Sequence, residues 1–183
     1  NSADETGGGI LFGAADGSTL TLSNSLLAVN GAGVGGGGIV SYGASLALKN
    51  VTCSGNSAGV RGGAVDLLSG TSATFHNTIL WGNVAPDDTA EVSIDDPSSL
   101  TVEHSGIEGG CPDGATCDSL ITSNPLFYAN PTAGDDAIWG TGDDEPGDLR
   151  LWKLSPAIDA GTNDVLLGNG VDVARNPRRI DVA

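Results

Sequence analysis

Asparagine recurs along this chain with a fixed period. Asn24, Asn50 and Asn77 are spaced by 26 and 27 residues, and Asn30, Asn56 and Asn83 repeat the series six residues later. His104 falls 27 residues after Asn77, in the place of a fourth member of the first series. A glycine cluster precedes each pair: GGGIL at 7–11, GGGGIV at 35–40 and GGAVD at 62–66. A repeat of this length constrains the architecture before any local propensity does, because each repeat is one unit that buries its apolar face only by stacking on the next.

Aligning the repeats gives columns. Leu20, Leu46, Ala73 and Leu100 form one apolar column, and Leu22, Leu48, Phe75 and Val102 form another. Between and after them stand Thr21, Ala47, Thr74 and Thr101, then Ser23, Lys49, His76 and Glu103. Apolar and mostly polar positions therefore alternate with the period of two of a half-buried strand. One such strand per repeat, always in the same direction, implies parallel pairing at about 4.8 Å. A helical solenoid does not suit a chain with 29 glycines and no 3.6-residue apolar stripe. The expected fold is all-β: a right-handed parallel β-helix of about four coils, its hand following the preference of parallel crossovers. Glycine suits the bends, and the two asparagine series are expected to mark two corners of each coil, their amides stacked into ladders. Cys53 shares a column with Leu27, Leu80 and Ile107, so a buried thiol is expected there.

The repeats divide the chain into coils over residues 1–110 and a C-terminal coil and cap region over 111–183, loop-rich and packed on the last coil. Seven basic against 23 acidic residues give a net charge of −16, which leaves no basic footprint for nucleic acid. No apolar run is long enough for a membrane-spanning helix. The chain has no Met, and Asn1 is not a translation start, so a processed product or a fragment of a longer parent is expected. Cys111 and Cys117 enclose only PDGAT, a turn-forming stretch that suits a local disulfide and an oxidising compartment.

Several blocks resemble the right-handed parallel β-helix repeat proteins of bacterial surfaces, and in particular those with a C-terminal region called the choice-of-anchor Q domain. The blocks are NTILWGN at 77–83, SGIEGG at 105–110, NPLF at 124–127, DLRLWKLSPAIDAG at 148–161 and NPRRID at 176–181. The resemblance implies an extracellular or cell-surface location. SPAIDAG is expected to dock as a last strand and turn, with Asp159 bonding nearby backbone rather than doing chemistry. The chain departs from the pattern by stopping at RRIDVA, without a closing acidic-aromatic strand, so the expected partner is a longer parent chain or a second subunit stacked end to end.

The segment GDDAIWGTGDDEPGD at 134–148 concentrates carboxylates that repel one another unless a cation intervenes. Ca²⁺ suits them, being a hard ion that takes 6 to 8 oxygens at roughly 2.3 to 2.6 Å in irregular geometry. The spacing is not that of an EF-hand, but it resembles the acidic inserts before DLRL in the same proteins, which read as calcium loops. Asp135, Asp143, Asp144 and Asp148 are the expected side-chain ligands. The pairs Asp87–Asp88 and Asp95–Asp96 read as solvated turns beside prolines.

For chemistry, the outward column places Lys49, His76 and Glu103 in one row. A His beside a carboxylate can act as a general base, and a neighbouring Lys can hold an anionic sugar, which would suit a carbohydrate-binding or polysaccharide-degrading module. A ladder of opposite charges on a solvated face explains the same residues. Asp66, Glu91 and Glu103 do not share a column, so no opposed carboxylate pair for glycoside hydrolysis is expected. The expected function is a non-catalytic, calcium-stabilised structural β-helix acting as a stalk, adhesin or filament subunit, with glycan binding or processing as the alternative.

Overall fold

A computed structural model describes residues 1–14, 17–86 and 90–163. The Asp87–Asp88 pair and the NPRRID block lie outside the described residues. The first coil contains β1 (Ser2–Ala3), β2 (Ile10–Gly13) and β3 (Thr19–Ala28). The second contains β4 (Gly31–Ala32), β5 (Ile39–Tyr42) and β6 (Ser45–Ser54). In the third, β7 (Ser57–Ala58), β8 (Val65–Leu68), β9 (Ser72–His76) and β10 (Ile79–Trp81) follow. The fourth has β11 (Val92–Ile94), β12 (Ser99–Glu103) and β13 (Gly106–Ile107), and β14 (Ala115–Asp118) extends the stack. A hairpin of β15 (Phe127–Ala129) and β16 (Asp148–Leu151) closes the series. No helix occurs among the described residues.

The strands stack into three parallel sheets: β1, β4 and β7; β2, β5, β8 and β11; and a long sheet of β3, β6, β9, β10, β12, β13 and β14. This is the parallel β-solenoid of about four coils that the repeat predicts. Its register follows the sequence columns: Leu20 faces Leu46, Leu46 faces Ala73, and Ala73 faces Leu100. Leu22, Leu48, Phe75 and Val102 follow two residues on, and Leu48, Phe75 and Val102 are sealed from solvent. Cys53 pairs with Leu27 and Leu80 and is fully buried, a free thiol serving as a small apolar side chain.

The corners explain the asparagines. Asn24, Asn50 and Asn77 have φ of 51°, 55° and 52°, the left-handed region that Asn tolerates better than other side-chain-bearing residues. Each lets its strand turn a corner while the ladder continues on both sides. Asn50 Nδ2 donates to Asn24 Oδ1 at 3.2 Å, and Asn77 Nδ2 to Asn50 Oδ1 at 3.1 Å. The second series is internal. The backbone N and Nδ2 of Asn30 both donate to Asn56 Oδ1, at 3.1 and 2.8 Å, and those of Asn56 both donate to Asn83 Oδ1, at 2.9 and 2.8 Å. These amides bond backbone groups that the bend removes from the strand ladder, as when Asn83 Nδ2 donates to Cys53 O at 2.9 Å.

The loop-rich C-terminal region starts from the last coil and then runs back along the flank. Pro131 and Trp139 lie against Gly55 in the second coil, and Gly140 lies against Gly31. SPAIDAG is not a strand. It forms a series of turns, with Ser155 N donating to Trp152 O at 2.8 Å and Ile158 N to Ser155 O at 3.3 Å, and Asp159 at φ 59°. The reason is local: the proline and the left-handed Asp159 interrupt the extended backbone that a ladder needs.

Candidate functional site

Four places gather functional side chains. The first is the end of the inner asparagine ladder. Asn83 donates its backbone N to Glu91 Oε1 at 3.2 Å and its Nδ2 to Glu91 Oε2 at 2.6 Å, so Glu91 occupies the place of a further Asn. Glu91 is buried, and burial pushes its carboxyl up to about 8 against the pull of the Asn83 bonds, with the nearby Glu108 adding to the rise. Glu108 itself accepts from Gly82 N at 2.7 Å. Both carboxyls line a cavity of about 620 Å³ beside Cys111 and Pro112. Sequence reasoning weighed Glu91 only as half of a carboxylate pair, found no pair, and missed its structural role. Its position eight residues after Asn83, next to the buried Val92, was the available signal.

The second place is the outward row. Ser23, Lys49, His76 and Glu103 stand in consecutive register, and Asp118 follows Glu103. His76 Nδ1 lies 3.2 Å from Glu103 Oε2, yet the two are not aligned as a hydrogen bond, and among the described residues Nδ1 has no other partner. Asp66 and Glu91 do not join this row. Asp66 is fully buried on β8 and receives Arg61 Nε at 3.0 and 3.2 Å; burial raises its carboxyl, with Arg61 opposing.

The third place is the loop 134–148. Asp143 Oδ2 accepts the backbone N of Asp135 at 2.7 Å and of Asp136 at 3.2 Å, while Oδ1 accepts the Thr141 hydroxyl at 2.6 Å. The Thr141 hydroxyl and then the Asp136 amide hold the Asp143 carboxyl below its ordinary value. Asp144 Oδ2 accepts Gly140 N at 2.7 Å, and Asp144 Oδ1 is buried without a partner. Asp148 does not join the other three. Arg150 Nε and Nη2 clasp it, and that contact lowers its carboxyl to about 2. Among the described residues no three His, Cys, Asp or Glu side chains gather closely enough to hold a metal ion. The expected calcium set is therefore not assembled as it stands: Asp143 is committed to the loop's own amides and Asp148 to Arg150, while Asp144 Oδ1 is, among the described residues, a buried acceptor without a partner.

The fourth place is a groove of about 530 Å³ between the Asn50–Asn77 corner and the C-terminal turns. Asn77 bonds Thr162 in both directions, Nδ2 to the Thr162 carbonyl at 2.8 Å and Thr162 N to Asn77 Oδ1 at 2.9 Å. His104, at φ 49°, continues the corner column where a fourth Asn would stand, and the backbone of Thr162 takes the amide position that a fourth Asn would have filled. Cys111 and Cys117 are joined in a disulfide with Cα atoms 6.0 Å apart, closing the turn that enters β14. No helix among the described residues is long and apolar enough to cross a membrane. No protein-family model, curated protein or solved structure matches this chain.

Proposed function

We propose that this chain is a structural, non-catalytic segment of an extracellular or cell-surface protein: a stalk, adhesin or filament subunit whose rigidity resides in its stacked coils. The observation that carries this reading is the internal ladder, an uninterrupted series of buried amide bonds from Asn30 through Asn56 and Asn83 to Glu91. Such a ladder couples each coil to the next and stiffens the rod along its axis. The disulfide supports an oxidising compartment. The bacterial-surface family and the choice-of-anchor Q region remain the resemblance behind the location, carried by SPAIDAG and DLRL.

Among the described residues, the strands β1, β2 and β3 are paired on one side only. A further coil fits those edges, supplied by a parent chain or by a second subunit stacked end to end. Calcium enters the proposal through Asp144, whose buried orphan oxygen gains a partner if Ca²⁺ binding draws in Asp135 and Asp143. Sedimentation velocity of the purified chain, with calcium and then with excess chelator, tests both parts. Calcium-dependent growth into long species supports a filament subunit. A sharp monomer in both conditions removes self-assembly and leaves the stalk of a longer parent.

A second reading rests on the Lys49–His76–Glu103 row, where an imidazole nitrogen without a hydrogen bond faces a carboxylate. It makes this face a carbohydrate-binding or polysaccharide-degrading module. Binding or turnover on a glycan panel, lost in His76→Ala and Glu103→Ala, is its test. Silence across the panel sinks it.

A further inference from the structure

Beside the charged row, the outer face of the long sheet carries two regular rows of small polar residues. One row runs Thr19, Ser45, Ser72, Ser99, each in direct register with the next. Two residues further along the strands, a second row runs Thr21, Ala47, Thr74, Thr101, Thr116. The pairing shows no register shift across these coils, so both rows run unbroken from coil to coil. Neighbours within a row are about 4.8 Å apart, and the rows are separated by about 6.7 Å, two residues of parallel strand.

These positions face solvent. Thr19, Thr21, Ser72, Ser99, Thr101 and Thr116 are exposed, and Ser45, Ala47 and Thr74 are half-buried. None carries a charge, in a chain whose net charge is −16. The face thus offers nothing to a cationic partner. It also lacks the aromatic and arginine anchors on which protein interfaces concentrate their energy. What it offers is a two-dimensional lattice of hydroxyl and methyl groups. Threonine is restricted about χ1 by its branch, and packing beside like neighbours in a sheet holds each hydroxyl in place before any partner arrives.

A periodic, uncharged, hydrogen-bonding array is complementary to a periodic, uncharged, hydrogen-bonding solid. The two repeats are close to the oxygen repeats on a prism face of hexagonal ice. We propose that this face binds the surface of ice crystals, the hydroxyls holding water in lattice-like positions and the methyl groups and Ala47 filling the spaces between them. The charged row from Lys49 to Asp118 forms the border of the face. The proposal is independent of calcium and of self-assembly.

The test is thermal hysteresis and ice recrystallisation inhibition by the full chain. The expected result is a hysteresis gap and shaped crystals with the wild type, both lost in Thr74→Lys/Thr101→Lys, which plants charges in the middle of the array. Should the lysines disturb folding, Thr101→Tyr is strand-compatible and raises a ring above the plane, and it is expected to abolish the gap as well. Asp118→Asn, on the border, is expected to leave it unchanged. No gap in the folded wild type overturns the proposal, as does an undiminished gap in folded Thr101→Tyr. Retention of the chain by crystalline cellulose or chitin, with ice growth unaffected, overturns it in favour of a polysaccharide surface.

Discussion

Every polar atom of Asn56 has a partner inside the solenoid. Its Oδ1 accepts two bonds from Asn30, its Nδ2 donates to Leu27 O and Asn83 Oδ1, its N donates to Asn83 Oδ1, and its carbonyl accepts Val84 N. Asn56→Ala strands the Asn30 amides and the Leu27 carbonyl where water does not reach, and each buried group so left costs about 1–3 kcal/mol. The expected loss is about 3–5 kcal/mol by urea denaturation, against about 1–2 kcal/mol for the half-buried Asn50→Gly, which keeps the left-handed corner and gives up two amide bonds, one to Asn24 and one from Asn77. Equal losses would mean that the inner ladder is no more than packing. At its end, Glu91 gives the ladder a pH dependence. Its folded carboxyl is raised from 4.5 to about 8, so the folded state binds the extra proton. The contribution is full below the unfolded value and declines by about 1.4 kcal/mol per pH unit from there up to about 8. Glu91→Gln is expected to flatten that slope, and an unchanged slope would place the titration elsewhere.

At the scale of the element, stacking depends on glycine at particular corners. A Cβ on Gly37 would sit 2.3 Å from Ser57 O and 2.5 Å from Gly63 O, both backbone atoms of the next coil. Gly37→Ala must therefore push two coils apart, at a cost of about 1–3 kcal/mol, read as a lowered urea midpoint. The coils were legible in the sequence because a strand of period two repeated four times carries its own register: once Leu46 is aligned with Leu20, the partners of Cys53 and His76 follow. The corner asparagines were legible for the same reason, although their left-handed backbone was not, since the repeat marks a position and not its φ. The C-terminal region had no such redundancy. Its contacts with Gly31, Gly55 and Asn77 join residues 76 or more positions apart that no repeat links, and so SPAIDAG was read as a last strand and turn. Asn77 is the pin that holds these turns. Asn77→Gly retains the corner conformation and removes the amide, and faster hydrogen exchange at Thr162 N is expected with little change in the coils. Unaltered protection of that amide would mean that the groove contacts alone hold the segment.

Across the whole molecule, 23 acidic side chains against 7 basic ones make the stack a self-repelling rod. The repulsion is concentrated in the loops, because the inner columns are apolar or amide and the hydroxyl face is neutral. Screening should therefore raise the melting temperature as sodium chloride is added, with most of the gain complete once the Debye length falls to about 8 Å near physiological ionic strength. Calcium acts in two ways that this titration separates. As a divalent ion it screens, and magnesium at equal concentration screens as well. As a ligand of the 134–148 loop it would act in excess of magnesium, because Ca²⁺ accepts many irregular oxygens while Mg²⁺ demands near-octahedral geometry and dehydrates reluctantly. The expected outcome is a melting temperature higher in calcium than in magnesium at matched ionic strength, with the difference removed by Asp144→Asn. That substitution preserves an acceptor for Gly140 N and takes away the charge of the carboxylate whose second oxygen is buried without a partner. Equal melting in the two ions would reduce the loop to a solvated acidic turn held by its own amides, and would leave the rigidity of the rod to the asparagine ladders and the coil core.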